Sequence, residues 1–106
     1  MNEVKSGDLT MMVVGDVHIS RPDPASVLAR VASVLEQGDI NLGNLESPNC
    51  DRGQPFGGKL EAGGIYLRTA PSNVKGLLAG RFKAMGIANN HSLDYGIEGL
   101  LQTIEV

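Results

Sequence analysis

The 106-residue chain is poor in several residue types that mark particular classes of protein. It has no tryptophan, aromatic residues make up 4% of the sequence, and Cys50 is its single cysteine. One cysteine cannot form an internal disulfide, so a small fold held together by disulfides is excluded. With so few aromatic rings, the core has to be built mainly from valine, leucine, isoleucine, alanine and methionine.

Basic residues and long apolar runs are also scarce. The formal net charge is −3, so the composition offers no basic footprint for nucleic acid. No apolar run reaches the length of a membrane span, and residues 1–7 lack the apolar centre of a signal peptide. We therefore expect a soluble chain, cytoplasmic by default, with one domain of ordinary size and no nucleic-acid partner.

The chain alternates segments with strand-like and helix-like patterns. Apolar runs predict strands over residues 9–14, 40–42, 65–67 and 82–88. Apolar residues at helical spacing predict helices over residues 24–37, 72–79 and 97–104. Asp23 is the expected cap of the first helix, with Pro24 at its first position and Gly38 at its end. Strands joined by helices of this length favour parallel pairing with right-handed crossovers, so the predicted class is α/β.

The apolar stripes of these helices are expected to face the core. The residues concerned are Val27, Leu28, Val31, Val34 and Leu35, then Val74, Leu77 and Leu78, then Ile97, Leu100, Leu101 and Ile104.

Three polar motifs follow three of the predicted strands. They are GlyAspValHis at 15–18, GlyAsnLeuGluSer at 43–47 and AlaAsnAsnHisSerLeuAspTyrGly at 88–96. Ligands of parallel α/β sheets bind beyond the carboxyl ends of the strands, where these motifs would meet. Carboxylate, imidazole and amide groups are also donors that transition metals accept. The spacing therefore predicts one convergent polar site, with candidates Asp16, His18, Asn44, Glu46, Asn90, His91 and Asp94.

In this order the motifs resemble those of the bacterial capsule-synthesis proteins of the poly-gamma-glutamate type, a branch of the calcineurin-like metallophosphoesterase superfamily. The ThrAlaProSer segment at 69–72, preceded by Arg68, resembles that family's link between the second and third motifs. The resemblance spans about residues 9–104. It implies part of a metallophosphatase-like α/β sandwich whose second half is missing, with residues 1–8 as a tail and 9–106 as the N-terminal part of the domain.

The resemblance also implies roles for individual residues. It implies metal ligands at Asp16, Glu46, Asn90 and His91, catalytic roles for His18 and His91, and substrate contacts from Asn44, Arg68 and Asp94. Mixed oxygen and nitrogen donors suit Mn, Fe or Zn better than Ca or Mg. Divalent ions in such a site support metal-assisted hydrolysis, here of an anionic polymer or phosphate-type substrate.

Some of these residues have simpler interpretations. Asp94 can instead cap the helix that follows it, and Asn44 can serve only to fix the turn after Gly43. Without the resemblance, Arg68 is interpreted as a solvated surface arginine. His18 is either a metal ligand or a proton donor beside the metal. Lys59, in the long loop at 47–70, carries no sequence signal.

The sequence is compatible with two classes of function. The first is a metal-dependent hydrolase that becomes complete with a second half or a partner, since the resemblance implies further histidines beyond Val106. The second is a non-catalytic fragment that binds a metal or a partner without turnover. A second half or a homodimer would also cover the exposed edge of a three-stranded sheet. A dinucleotide-binding half-domain is discounted because no glycine-rich turn joins the first strand to the first helix.

Overall fold

A three-stranded parallel sheet forms the centre of the computed structural model, which describes Glu3 and residues 5–106. The strands are β1 (Met11–Val17), β2 (Ile40–Leu45) and β3 (Phe82–Gly86), in the order β1-β2-β3. The predicted α/β class with parallel strands is confirmed. The short strand predicted at 65–67 is wrong, because those residues are irregular and only an isolated bridge pairs Asn49 with Thr69 nearby. The predicted tail at 1–8 lies partly outside the described residues.

Two strands extend further towards the polar motifs than their apolar runs predict. β1 continues to Val17 and β2 to Leu45, so Asp16 and Asn44 lie within paired strands. Val13 is paired with Leu42 and Asp16 with Asn44, so β1 has one extra residue between these two pairs. Such a bulge bends a strand and changes the direction of the side chains that follow it. As a result, Asp16 lies directly opposite Asn44.

The first crossover is broken into short helical pieces, so the single helix predicted over 24–37 is wrong. Residues Pro24–Ser26 and Ala29–Val31 form 3-10 turns, and only Ala32–Leu35 forms an α-helix, here named α1. Asp23 makes no side-chain cap, whereas Pro24 occupies the predicted first position. The segment is rich in β-branched valines, which are weak helix formers, and the Ser26 hydroxyl bonds the Asp23 carbonyl. Val31 and Val34 of the predicted stripe stay exposed, so little packing compensates.

The second crossover ends in the helix predicted at 72–79. A 3-10 turn at Pro71–Asn73 leads into α2 (Val74–Ala79). Leu77 is buried as expected, whereas Leu78 is 66% exposed and its predicted inward position is wrong. Both crossovers contribute to one hydrophobic core, as expected when two right-handed connections cover the same face of the sheet. The core on that face consists of Val17, Ile19, Leu45 and Leu77, against which Val27, Leu28, Val74, Phe82, Met85 and Ile87 pack.

Asn41 joins the sheet to the ends of both crossover helices. Its side chain is almost completely buried, and its amide nitrogen donates to the carbonyls of Leu35 and Gly80. Leu35 is the last residue of α1 and Gly80 directly follows α2, so this one amide bonds the C-terminal end of each helix.

The closing helix α3 (Gly96–Glu105) buries a different face from the one its apolar stripe predicts. Gly99 and Gln102 lie inward, while Ile97, Leu101 and Ile104 are exposed. The Gln102 side-chain oxygen accepts hydrogen bonds from two consecutive backbone amides, those of residues 51 and 52, both at 2.9 Å. These bonds hold the face of α3 that carries Gln102 against the loop at 47–70. No helix in the described part of the chain is both long enough and apolar enough to cross a bilayer.

Candidate functional site

The carboxyl ends of the three strands bring four predicted site residues together. Asp16 lies near the end of β1, Asn44 and Glu46 lie at the end of β2, and His91 lies in the turn after β3. The Asn44 side-chain nitrogen donates to Asp16 Oδ1 at 2.8 Å and to Glu46 Oε2 at 2.9 Å. The two carboxylates therefore share one amide group as their hydrogen-bond donor.

Asn89 belongs to the same network, although the sequence interpretation selected its neighbour Asn90. The Asn89 side-chain nitrogen donates to Asn44 Oδ1 at 2.9 Å and to the Leu45 carbonyl at 2.8 Å. Its side-chain oxygen accepts the His91 backbone amide at 2.9 Å. The third motif contains both asparagines, so the sequence did indicate that an asparagine of this motif contributes to the site. Which of the two faces the strand ends depends on the turn and not on the motif.

His91 is buried, and each of its ring nitrogens faces a carboxylate. Nδ1 lies 2.6 Å from Asp94 Oδ2, and Nε2 lies 3.6 Å from Glu46 Oε1. A carboxylate can only accept, so Nδ1 carries a proton and donates it to Asp94. In the neutral ring this leaves a lone pair on Nε2, directed towards the Glu46 carboxylate. Histidines that ligate metals are commonly oriented by a carboxylate in this way.

Asp94 is the most constrained acid of the site, with a side chain only 2% exposed. It accepts hydrogen bonds from His91, from the Leu67 backbone amide at 2.7 Å and from the Lys59 ammonium. Burial alone raises the pKa of Asp94, but the hydrogen bonds from Lys59, Leu67 and His91 outweigh it, so the pKa lies below its usual value. α3 begins after Tyr95 without a side-chain cap, so the helix-cap interpretation of Asp94 is wrong.

Lys59 reaches the site from the long loop, although the sequence around it gave no signal of this. Its ammonium pairs with Asp94, donates to the Asn90 carbonyl at 3.0 Å and lies 3.2 Å from His91 Nδ1. These partners are more than thirty positions away along the chain. Nothing in the local pattern around Lys59 pointed to them.

Three other predicted residues lie at the margin of this network. His18 is exposed, and its Nδ1 lies 2.8 Å from Ser47 Oγ. The Arg68 guanidinium stacks over Tyr95, 4.0 Å from the ring centroid. Asn90 has an exposed side chain. Among the described residues, none of these three side chains bonds to Asp16 or Glu46, and their roles stay predictions.

The donor set suits part of a metal centre. Two ligands of one ion, each about 2.0–2.2 Å from it at tetrahedral or octahedral angles, lie about 2.8–3.6 Å apart. Glu46 Oε1 and His91 Nε2, separated by 3.6 Å, are at the upper edge of that range. Within the described residues no three His, Cys, Asp or Glu side chains are grouped so as to hold a metal ion. The pair therefore fits two ligand positions, and the remaining positions need further donors.

Comparison with known proteins places these observations in a family. The bacterial capsule synthesis protein family PGA_cap matches residues 6–106. An uncharacterized protein of Sinorhizobium fredii is 36% identical over 104 residues, which cover 92% of this chain and 22% of that protein. The capsule biosynthesis protein CapA of Bacillus anthracis is 30% identical over 92% of this chain and 25% of its own length. The PGA biosynthesis protein CapA of Bacillus subtilis is 28% identical over 91% of this chain and 27% of its own length.

The chain thus spans about a quarter of the length of the curated relatives it matches. The match includes all three polar motifs and the loop that supplies Lys59. This chain belongs to the family of bacterial capsule synthesis proteins.

Proposed function

We propose that this chain supplies part of a divalent-metal centre for hydrolysis in a capsule-synthesis protein. The supporting observation is the orientation of His91, whose Nδ1 is held by Asp94 while Nε2 faces Glu46. A buried imidazole fixed in this way presents one lone pair in one direction, as a metal ligand requires. Mn, Fe or Zn suits the mixture of imidazole and carboxylate donors.

In this proposal each residue of the chain has a defined task. Glu46 and His91 hold the ion through Oε1 and Nε2, and Asp16 and Asn90 are the candidates for additional ligands. When bound, the ion supplies a Lewis acid that polarises the group to be hydrolysed. Asp94 and Lys59 keep the imidazole oriented.

His18 is proposed as the proton donor. Its Nδ1 lies 2.8 Å from Ser47 Oγ, which directs Nε2 away from that hydroxyl, and the residue is exposed to solvent. An imidazole with one anchored nitrogen can hold and transfer a proton at the other.

The proposed substrate is an anionic capsule polymer or a phosphate-type compound. The relatives whose names mention capsule or PGA biosynthesis motivate the polymer. Arg68 is the candidate anion contact, because its guanidinium is exposed and oriented by Tyr95. Lys59 is already paired with Asp94, so it is less available to a substrate.

A second candidate is a unit that binds a metal or a partner without turnover. Two apolar surfaces support it: Met11 and Val13 are exposed on β1, and Ile97, Leu101 and Ile104 are exposed on α3. An apolar cleft of about 520 Å³ also opens between β1 and the helical pieces, with Asp16 and His18 at its border. A second copy of the chain, or a further part of a longer polypeptide, would cover such surfaces.

Calorimetric titration with MnCl₂ tests the metal centre. We expect the wild-type chain to bind Mn²⁺, and Glu46→Gln, which removes a ligand charge, to weaken binding at least about tenfold. Gln37→Ala, which removes an exposed amide distant from the strand ends, is the matched control and should bind as wild type does. Absence of binding by wild type, or unchanged binding by Glu46→Gln, would contradict the proposal.

Turnover and association separate the two candidates. Hydrolysis of bis(p-nitrophenyl) phosphate and of poly-gamma-glutamate would be assayed at saturating Mn²⁺. Sedimentation velocity over micromolar concentrations would show whether the chain forms dimers. Metal-dependent hydrolysis supports the enzyme. Because a partial centre can bind Mn²⁺ without completing hydrolysis, absence of hydrolysis supports the second candidate only for a dimer that has bound Mn²⁺.

A further inference from the structure

We propose that Asn44 and Asn89 are positioning residues, forming an amide relay that fixes the carboxylates of Asp16 and Glu46. Asn89 has no role in the function proposed above, and Asn44 entered only as a predicted substrate contact. The relay itself consists of hydrogen bonds within the chain. Its purpose, the presentation of two carboxylates to a cation, rests on the proposed function.

The orientation of Asn89 is determined by two backbone groups. The His91 N–H can only donate, so the atom that faces it at 2.9 Å has to be the Asn89 side-chain oxygen. The Leu45 carbonyl can only accept, so the atom that faces it at 2.8 Å has to be the side-chain nitrogen. Reversing this amide would create a donor–donor and an acceptor–acceptor contact, which fixes its direction.

The orientation of Asn44 follows from that of Asn89. The second proton of the Asn89 amide donates to Asn44, which therefore presents its oxygen on that side. The nitrogen of Asn44 then has to face the opposite side, where it donates one proton to Asp16 and one to Glu46. All four side-chain amide protons of the two asparagines are used within the relay, so neither NH₂ group retains a free proton for a substrate.

The relay determines which carboxylate oxygens remain available. It occupies Oδ1 of Asp16 and Oε2 of Glu46. Among the described residues, none donates a hydrogen bond to Asp16 Oδ2 or to Glu46 Oε1, and the latter is the oxygen that faces His91 Nε2. Two neighbouring carboxylates repel one another, and the shared NH₂ group offsets that repulsion without a net charge. The acids are thereby held close together before any cation arrives.

Side-chain amide exchange measured by NMR tests the relay without a metal. In wild type the Asn44 NH₂ protons should exchange slowly, because both are hydrogen-bonded to carboxylates. Asn89→Ala frees the Asn44 amide to rotate, and we expect its protons to exchange at least about tenfold faster. Gln37→Ala should leave them unchanged. Equal exchange rates in wild type and Asn89→Ala would overturn the relay.

Mn²⁺ affinity tests what the relay does. We expect Asn44→Ala and Asn89→Ala each to raise the Kd about tenfold, as loss of a group that orients a ligand does. Since Asn89 acts through Asn44, the double variant should bind no more weakly than Asn44→Ala alone, whereas additive losses would overturn the relay. Asn89→Asp keeps the acceptor for the His91 amide, removes both donors and adds a negative charge that faces Asn44 Oδ1 and the Leu45 carbonyl, so amide exchange in this variant tests the relay if Asn89→Ala does not fold.

The two proposals fail in different ways. If wild type binds no Mn²⁺, the proposed function fails, while amide exchange still decides whether the relay exists. If wild type binds Mn²⁺ and Asn89→Ala binds it equally well, the metal centre stands and the positioning role of the relay is wrong.

Discussion

His18 and His91 occupy corresponding places, each just after a parallel strand, yet their surroundings differ. His91 is 6% exposed and contacts Asp94, Lys59 and Glu46. His18 is exposed and contacts one hydroxyl, that of Ser47. A position after a strand therefore brings a histidine to the site, but it does not determine how tightly the imidazole ring is held. How tightly the ring is held depends on contacting residues from other segments of the chain.

The difference suggests a division of tasks. An imidazole buried between carboxylates has one orientation and suits a ligand, whereas an imidazole with one nitrogen open to solvent suits proton transfer. Four substitutions test this comparison, and their expected effects on the free energy of unfolding range from about 3 kcal/mol to less than about 0.5 kcal/mol.

Asp94→Asn should destabilise the fold most, by about 3 kcal/mol at pH 7. The buried carboxylate accepts from three groups, and removing its charge leaves Lys59 without its ion pair. Because folding lowers the pKa of Asp94, the carboxylate stabilises the fold above about pH 4, and this contribution is lost as the pH falls through the lowered pKa. Urea unfolding at several pH values should therefore show the gap to wild type shrinking in acid. A gap independent of pH would contradict the charge-based explanation.

His91→Ala should cost about 2 kcal/mol, because it leaves a cavity and removes a hydrogen bond from Asp94. If His91 is a ligand, Mn²⁺ should also raise the melting temperature of wild type and not that of this variant. Thermal denaturation with Mn²⁺ and with EDTA measures both effects. An equal Mn²⁺-induced rise in wild type and variant would exclude His91 as a ligand.

Lys59→Met should cost about 1 kcal/mol. Methionine keeps an apolar chain of similar length but loses the ammonium that pairs with Asp94, and partial exposure of Lys59 weakens that pair. Lys83→Met, at an exposed position on β3, is the matched control and should change the free energy of unfolding by less than about 0.5 kcal/mol. Equal effects of the two substitutions would show that the Lys59 contacts contribute nothing specific.

His18→Ala should change the free energy of unfolding by less than about 0.5 kcal/mol, because its ring is exposed. If His18 donates a proton, hydrolysis at saturating Mn²⁺ should fall about a hundredfold while the Mn²⁺ Kd is unchanged. A loss of stability similar to that of His91→Ala would remove the contrast between the two histidines.

The helices show that the periodicity of apolar residues is not sufficient to predict which face of a helix is buried. The stripe of α3 has the spacing of a core face, yet Ile97, Leu101 and Ile104 are exposed and Gln102 lies inward. Periodicity identifies an amphipathic helix but not which surface covers it. In the first crossover, valines at helical spacing predicted one helix, whereas their weak propensity and sparse packing allow only short pieces.

Local sequence patterns were sufficient to predict the alternation of strands and helices and the position of Asp16, Glu46 and His91 at one edge of the sheet. They were sufficient because apolar runs mark strands locally, and the carboxyl ends of parallel strands always meet at the same edge. The three-dimensional packing was needed to show that Lys59 and Leu67 hold Asp94, and that Asn89 rather than Asn90 directs Asn44. Hydrogen bonds between residues about thirty or more positions apart depend on how loops and turns pack, and no local pattern encodes them.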